Sequence, residues 1–164
     1  MPQLPPDTYE HLKALALRVH GQTPTPTLSA TELLHEAWLK VEQSRQELQD
    51  EQHYLAVAAR AMRQILIDRA RARGAQKRGG SARVRTTLAG QGEAPLVLDL
   101  LVLDELLGQL EQVSERAARV VELKVFGGLS GEEIAENLAI SRRTVFGDWR
   151  FARAFLEERL RAPR

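Results

Sequence analysis

The chain of 164 residues has 43% hydrophobic and 27% charged residues, few aromatic residues and no cysteine. This composition favours a soluble helical protein, and the lack of cysteine excludes disulfides and thiolate metal sites. The N-terminal residues do not have the pattern of a signal peptide and no stretch approaches the roughly 18 apolar residues of a membrane span, so we expect a cytoplasmic protein without membrane contact.

Charge is distributed in blocks, although the net charge is only +1. Lys plus Arg against Asp plus Glu is 4 to 8 in residues 1–59, 9 to 1 in 60–85, 3 to 10 in 86–140 and 7 to 3 in 141–164. Two basic blocks in acidic surroundings are typical of a polyanion-binding protein. Solvated helix faces are the alternative interpretation.

Two helices are predicted in the first 45 residues. The first follows the prolines of "PPDTYEHLKALALRVHG", with Asp7 as N-cap and Gly21 as the stop. The breaker "QTPTPT" separates it from a second helix that starts at Ser29, with Glu32 completing a capping box. The apolar face of this second helix is expected to consist of Leu33, Leu34, Ala37, Trp38 and Val41.

A third helix is predicted over residues 51–73, ended by Gly74. One stripe at helical spacing is apolar and contains Leu55, Ala58, Met62, Ile65 and Leu66. A second stripe is mainly basic and polar and contains Arg60, Arg63, Gln64, Ile67 and Arg71. The helix is therefore expected to pack on one side and to present arginines on the other.

Residues 75–96 are rich in glycine and small residues and follow neither the helix nor the strand period. A structureless stretch of this length is uncommon inside a compact domain. We therefore predict two small helical domains, residues 1–74 and 97–164, joined by a flexible linker at 75–96. No run alternates as a strand does, and the fold class is all-α.

The second half contains four more predicted helices. Leu100, Leu103, Leu106, Leu107 and Leu110 indicate the first, and Ala117, Val120, Val121, Leu123 and Val125 a second that Gly127 and Gly128 end. Ser130 and Glu133 form the capping box of a short helix, and Ser141 is the N-cap of the last one.

The last two helices and the turn between them have the pattern of a helix-turn-helix, whose second helix enters the major groove of DNA. Val145, Trp149, Ala152 and Leu156 share one face and are expected to be buried. The side chains expected toward solvent or DNA are Arg142, Arg143, Thr144, Phe146, Arg150 and Arg153. Arg142 and Arg143 are candidates for base or phosphate contact, and Arg150 and Arg153 for phosphate contact.

These residues also resemble a known family. "ARVVELKVFGGLSGEEIAENLAISRRTVFGDWRFARAFL" is similar to region 4 of bacterial RNA polymerase sigma factors of the extracytoplasmic-function (ECF) type. "LLHEAWLKV" and "YLAVAARAMRQILIDRARARGAQKRGG" resemble region 2 of the same group. The resemblance spans residues 8–160, and the two motifs occur in the order of the family.

The resemblance implies a non-enzymatic alternative sigma factor that binds core RNA polymerase and double-stranded promoter DNA, assists DNA melting, needs no cofactor and has an anti-sigma factor as a further partner. It places core-polymerase binding at Glu32, Glu36, Leu39 and Lys40. Recognition of the minus-10 element would fall to Arg60, Arg63, Gln64, Arg71, Arg73, Lys77 and Arg78. The minus-35 element would be read by Arg142, Arg143, Thr144, Phe146, Arg150 and Arg153.

The sequence departs from the family pattern at two positions of the helix-turn-helix. Gly147 stands where a basic or polar residue is common, beside Phe146, which we expect to be exposed. Ala139 replaces the glycine usual in the turn, which predicts a turn without a strongly positive φ. Both departures leave the promoter preference open, and Phe146 is free to contact a thymine methyl or a protein partner.

Other kinds of site find little support. His35 and Glu36 begin a zinc-protease motif, but position 39 is Leu, and the four histidines lack ligand spacing, so no metal site is expected. "RGGSARVR" lacks the end of a phosphate loop, no catalytic Ser/His/Asp arrangement is present, and Trp38 and Trp149 are interpreted as core anchors. Two rival functions remain: a stand-alone, dimeric helix-turn-helix regulator, and a helical adaptor that binds proteins through its acidic helices.

Overall fold

A computed structural model describes residues 6–44, 50–76, 83–90 and 92–163. Helices dominate, which confirms the all-α class, and a two-stranded sheet is added to them. The helices are α1 (Pro6–Gln22), α2 (Ala30–Gln43), α3 (Glu51–Gln76), α4 (Leu100–Val113), α5 (Glu115–Val121), α6 (Gly131–Leu138) and α7 (Arg142–Arg161). The strands are β1 (Arg85–Leu88) and β2 (Leu96–Asp99), and a π-helical segment spans Glu122–Phe126.

The first three helices are present as predicted and pack against one another. The predicted capping box of α2 is present: the Glu32 N–H donates to Ser29 Oγ over 3.2 Å, and the Ser29 N–H donates to Glu32 Oε2 over 2.7 Å. Asp7 is not the N-cap of α1, because that helix already includes Pro6. Likewise Gly74 does not end α3, which continues to Gln76.

The expectation that residues 75–96 lack regular structure is wrong within the described part of that stretch. β1 pairs antiparallel with β2, with Arg85 opposite Asp99 and Leu88 opposite Leu96. The hairpin is tied to the end of α1, because the hydroxyls of Thr23 and Thr86, both fully buried, lie 2.6 Å apart. Four-residue strands are near the lower length limit, and their stability here comes from packing against the helices.

The helix predicted around residues 117–125 is divided. Ser114 is the N-cap of α5, and its side chain accepts from the Ala117 N–H, whereas Glu122–Phe126 form the π-helical segment. Gly127 and Gly128 follow, and Gly128 has a φ of 66°, a conformation that favours glycine. A side chain on Gly128 would also approach the backbone of Leu15 in α1. These glycines therefore allow the second half of the chain to lie directly on α1.

Buried side chains from both halves form one continuous core. α3 packs against α4, the π-helical segment and α6, as well as against α1 and α2. Phe126, at the end of the π-helical segment, is fully buried in this core. The division into two domains at residue 74 stays a prediction from the sequence. None of the helices among the described residues combines the length and apolarity that crossing a bilayer requires.

Candidate nucleic-acid interface

α6, the turn after it and α7 form the predicted helix-turn-helix. The capping box of α6 is present, with the Glu133 N–H on Ser130 Oγ at 3.2 Å, and Ser141 caps α7 by accepting from the Thr144 N–H at 3.1 Å. Ala139 has φ 54° and ψ 46°, so the expectation of a turn without positive φ is wrong. This left-handed residue ends α6 as a helix C-cap, and its N–H reaches the carbonyls of Ala135 and Glu136.

One face of α7 is buried as predicted. Val145, Trp149, Ala152 and Leu156 all belong to the core, which confirms Trp149 as a core anchor. Trp38 on α2 is only partly buried against the same core. α7 is also fixed to α5 by the Arg116 guanidinium, which donates to both carboxylate oxygens of Asp148 over 2.6 and 3.1 Å. These hydrogen bonds hold the pKa of Arg116 above its usual value.

The other face of α7 presents an exposed cationic and aromatic surface. The side chain of Arg142 is 73% exposed and pairs with Glu132 over 3.1 Å, and Arg143 is exposed beside it. Phe146 is exposed as expected, and the guanidinium of Arg150 lies 5.7 Å from its ring centroid. Thr144 is half-buried, and its hydroxyl lies 2.8 Å from that of Ser141. The N-terminal half of α7 is thus open to a polyanion.

Arg153 does not belong to that surface, and the expectation that it faces solvent or DNA is wrong. It is buried, with Nε on Glu157 at 2.9 Å and Nη1 on Glu93 at 3.2 Å. Its Nη2 also donates to the carbonyl oxygen of Ala94. Arg153 follows Ala152 on the buried side of α7. Its side chain reaches the chain that precedes β2 and ties α7 to it. Arg153 is therefore a structural residue.

The predicted basic face of α3 is partly confirmed as a surface. Arg60 and Arg71 have side chains that are 69% and 65% exposed, Gln64 is exposed and Arg73 is half-buried. Ile67, which falls on the same stripe, is buried. Lys77 and Arg78 lie outside the described residues. Arg60, Gln64 and Arg71 can therefore meet another molecule directly.

Arg63 is the exception on that face. Its side chain is 23% exposed, and it donates to Glu122 at 2.6 Å and to Asp104 at 2.8 and 3.0 Å. Burial disfavours the charged guanidinium, but its hydrogen bonds to Glu122 and Asp104 outweigh this effect and raise the pKa of Arg63. Sequence spacing could not reveal this, because the two carboxylates are 59 and 41 positions away in the chain.

The predicted polymerase-binding residues lie on the outer side of α2. Leu39 is 59% exposed, Lys40 is half-buried, and Glu36 pairs with Arg69 of α3. Glu32 is exposed, and its hydrogen bond from the Ser29 backbone lowers the pKa of its carboxyl group.

A cavity of about 670 Å³ between α6, α7 and the chain before β2 was not anticipated from the sequence. Lys124 lines it, with Nζ 5.2 Å from the ring centroid of Trp149, and burial lowers the pKa of this lysine. Its ammonium has no acidic partner among the described residues. No group of three or more His, Asp or Glu suited to a metal ion occurs in the described ranges.

One protein family matches almost the whole chain. The family described as ECF sigma factor matches residues 2–162. A solved structure of the sigma factor RpoE from Bartonella quintana, determined in complex with the anti-sigma factor NepR, is similar over 96% of this chain and 94% of that chain, with 17% identity and a TM-score of 0.40. No curated protein matches the chain significantly. Because the family match extends over almost every residue, the chain belongs to the ECF sigma factor family and is an alternative sigma factor, a non-enzymatic transcription factor that binds core RNA polymerase and promoter DNA.

Proposed function

We propose that this sigma factor directs core RNA polymerase to promoters by using α7 at the minus-35 element and α3 at the minus-10 element, where it assists melting. The observation that carries the proposal is the display of unburied arginines on two separate helices, in the same chain and in the order of the family motifs. Two separate cationic helices allow one chain to hold a duplex at two places.

At the minus-35 element, Arg142 and Arg143 occupy the first turn of α7, where a recognition helix meets base edges and phosphates. The free N–H groups of this turn add to the attraction for phosphate. Thr144 and Phe146 offer a hydroxyl and an apolar surface in the same half of the helix, and Arg150 lies one turn further on. Phe146 is suited to a thymine methyl group.

At the minus-10 element, Arg60, Gln64, Arg71 and Arg73 supply the contacts of α3, together with Arg63 once it is released from its carboxylates. Arginine binds phosphate with two parallel hydrogen bonds and stacks on unpaired bases. Lys77 and Arg78 continue the same basic stretch in the sequence. A strand that leaves the duplex would be held by this series of cationic groups.

Core polymerase would bind the outer side of α2, at Glu32, Glu36, Leu39 and Lys40. Leu39 supplies the apolar contact, and the charged groups around it set the orientation. The residues of this surface belong to α2 and differ from the arginines of α3. Polymerase and DNA can therefore be bound at the same time.

The proposal is tested by reconstitution with core polymerase. A pull-down followed by run-off transcription on mapped promoter fragments should show a stable complex and transcripts that depend on the sigma factor. Leu39→Asp should abolish the complex, whereas Leu17→Asp, at a similarly exposed leucine of α1, should leave it intact. Failure of the wild-type protein to bind core polymerase at moderate salt would overturn the proposal.

The two rival functions predict different results in simple assays. A stand-alone regulator would be dimeric by sizing and would bind a palindromic site. An adaptor would bind promoter and random duplexes equally weakly in a salt titration. The proposed sigma factor should be monomeric and should require polymerase for strong promoter binding.

A further inference from the structure

The cavity of about 670 Å³ between α6, α7 and the chain before β2 lies beside the surface proposed for the minus-35 element, but the proposed function gives the cavity itself no role. Its volume is within the range of about 300–1,000 Å³ that is typical of sites for small organic ligands. Much of its wall is apolar and includes Val120, Ile134, Val145 and the side chain of Trp149. The cavity thus has the size and the surface of a ligand site.

Lys124 is the cationic group of this apolar wall. Its side chain is half-buried, its Nζ lies 5.2 Å from the ring centroid of Trp149, and it has no acidic partner among the described residues. The face of an aromatic ring attracts an ammonium group, but a hydrogen-bonded anion stabilises it more strongly. An anion inside the cavity would therefore give Lys124 the partner that the described part of the chain does not supply.

The two carboxylates of the wall are engaged with other groups. Glu93 pairs with Arg153 at 3.2 Å, and Glu132 pairs with Arg142 at 3.1 Å. Arg143 also lines the cavity and has no salt bridge among the described residues. The wall thus carries three cationic side chains, the lysine and two arginines, against two carboxylates that are already paired. This balance favours an anionic ligand over a cationic one.

The indole N–H of Trp149 is a further unpaired donor at the same wall. The residue is 5% exposed, and its Nε1 has no hydrogen-bond partner within the described ranges. Nε1 lies close to Gly90, which also lines the cavity, because a Cβ there would be only 2.7 Å away. Buried N–H groups without an acceptor are uncommon in folded proteins. An acceptor atom of a ligand placed beside Gly90 would satisfy this one.

We propose that the cavity is a binding site for a small organic anion, which carries a carboxylate, sulfonate or phosphate group on an apolar or aromatic body. The anionic group pairs with Lys124 and Arg143, and the body packs on Trp149 and Val145. Both parts of the ligand are needed. A neutral molecule leaves the ammonium without a partner, and a small hydrophilic anion leaves the apolar wall in contact with water.

The site shares residues with the surface proposed for DNA. Arg142, Arg143 and Phe146 line the cavity and are also proposed to contact the minus-35 element. A ligand paired with either arginine therefore competes with promoter DNA for α7. This competition rests on the proposed function, whereas the site itself rests on the cavity and its charges. Binding of the ligand would lower the affinity of the protein for its promoter.

The site is tested with anilinonaphthalene sulfonate, an aromatic anion whose fluorescence rises in an apolar environment. Lys124→Met removes the charge but keeps a long apolar side chain, and we expect it to bind the probe at least about fivefold more weakly than the wild type. The matched control is Lys13→Met, at an exposed lysine of α1. It has the same change in net charge and should weaken binding by less than about twofold.

Further variants separate the charge of Lys124 from its packing. Lys124→Arg should retain most of the affinity, and phenylnaphthylamine, a similar aromatic probe without the sulfonate, should bind the wild type and Lys124→Met equally. Circular dichroism verifies folding, and if Lys124→Met loses its helical signal, Lys124→Gln is measured with the same criterion. Absence of sulfonate binding by the wild type, or equal affinities of the wild type and the uncharged variant, would overturn the inference.

The competition is tested with a short fluorescent duplex that contains a mapped minus-35 element, at low salt. With the probe at about ten times its Kd, the duplex affinity of the wild type should fall about tenfold, as mass action requires for exclusive binding. Lys124→Met should lose much less at the same probe concentration. An unchanged duplex affinity of the wild type would overturn the competition. Absence of duplex binding without any probe would instead overturn the proposed role of α7, so the two failures are distinguishable.

Discussion

Arg63 and Asp104 are 41 positions apart in the chain, yet the Arg63 guanidinium donates to one carboxylate oxygen of Asp104 through both Nε, at 3.0 Å, and Nη2, at 2.8 Å. This forked contact joins the helix proposed for the minus-10 element to the helical unit that carries the helix-turn-helix. The same guanidinium also donates to Glu122, so two acidic residues enclose the centre of the α3 surface.

Arg153 and Arg150 are close in sequence but should respond differently to replacement. Arg153→Met leaves Glu93 and Glu157 without their buried partner and should lower the free energy of unfolding by about 3 kcal/mol. Arg150→Met, on the exposed face, should change stability little but weaken DNA binding by about 1 kcal/mol. Urea unfolding and duplex titration measure both quantities. Equal stability of the two variants would contradict a structural role for Arg153.

Two glycines of the second half should give opposite results when replaced by alanine. A Cβ on Gly90 would lie 2.7 Å from Trp149 Nε1 and 2.8 Å from Glu93 Oε2, so Gly90→Ala should destabilise by about 1–2 kcal/mol. Gly147 has nothing within 4 Å of that position and lies inside α7, so Gly147→Ala should stabilise by roughly 1 kcal/mol. Thermal and urea unfolding check the signs. A stabilising Gly90→Ala would mean that the chain before β2 does not rest on Trp149.

Ala139 has a left-handed backbone conformation, which glycine adopts at a lower free-energy cost than alanine. Relief of the steric cost at φ 54° predicts that Ala139→Gly raises the free energy of unfolding by about 1 kcal/mol. The same change at Ala154, an exposed position within α7, should lower it by roughly 1 kcal/mol. Urea unfolding of both variants decides the matter. A loss of stability in both would show that the turn does not hold Ala139 in this conformation.

Tyr54 should make stability depend on pH in the alkaline range. Burial, with a smaller contribution from the charge of Glu42, raises the pKa of Tyr54 to about 12 from an ordinary value of 10.0. Between these values the unfolded chain loses the phenol proton first, so the stabilising contribution is complete below pH about 10 and is lost as pH rises toward about 12. Urea unfolding across this range should show a steeper decline for the wild type than for Tyr54→Phe. Parallel curves would contradict the raised pKa.

Helix positions and the two capping boxes could be predicted from local sequence, whereas the predicted helix ends at Asp7 and Gly74 were wrong. The capping boxes at Ser29 and Ser130, and the buried stripe that includes Val145 and Trp149, depend on neighbours within one or two helical turns. The hairpin could not be predicted, because its four-residue strands are held by distant contacts such as that between Thr23 and Thr86.

The candidate site was predictable only in part, because contacts between residues distant in the chain also determine which arginines are exposed. Helical spacing placed Arg60 and Arg63 on one face of α3, but tertiary packing leaves the first exposed and encloses the second between Asp104 and Glu122. Arg153 was assigned to the DNA face, although its long side chain turns to the chain that precedes β2. Which arginine becomes structural depends mainly on acidic residues distant in the chain, Asp104 and Glu122 for Arg63 and Glu93 for Arg153.

The central claim, that two helices of one chain hold a promoter at two places, is tested most directly by footprinting the complex with core polymerase. Permanganate reports melting and DNase protection reports upstream docking, for the wild type, Arg71→Ala and Arg143→Ala on the same mapped promoter. We predict that Arg71→Ala keeps the upstream protection but loses permanganate reactivity, and that Arg143→Ala loses the upstream protection. Wild-type footprints at both elements in both variants would contradict the account.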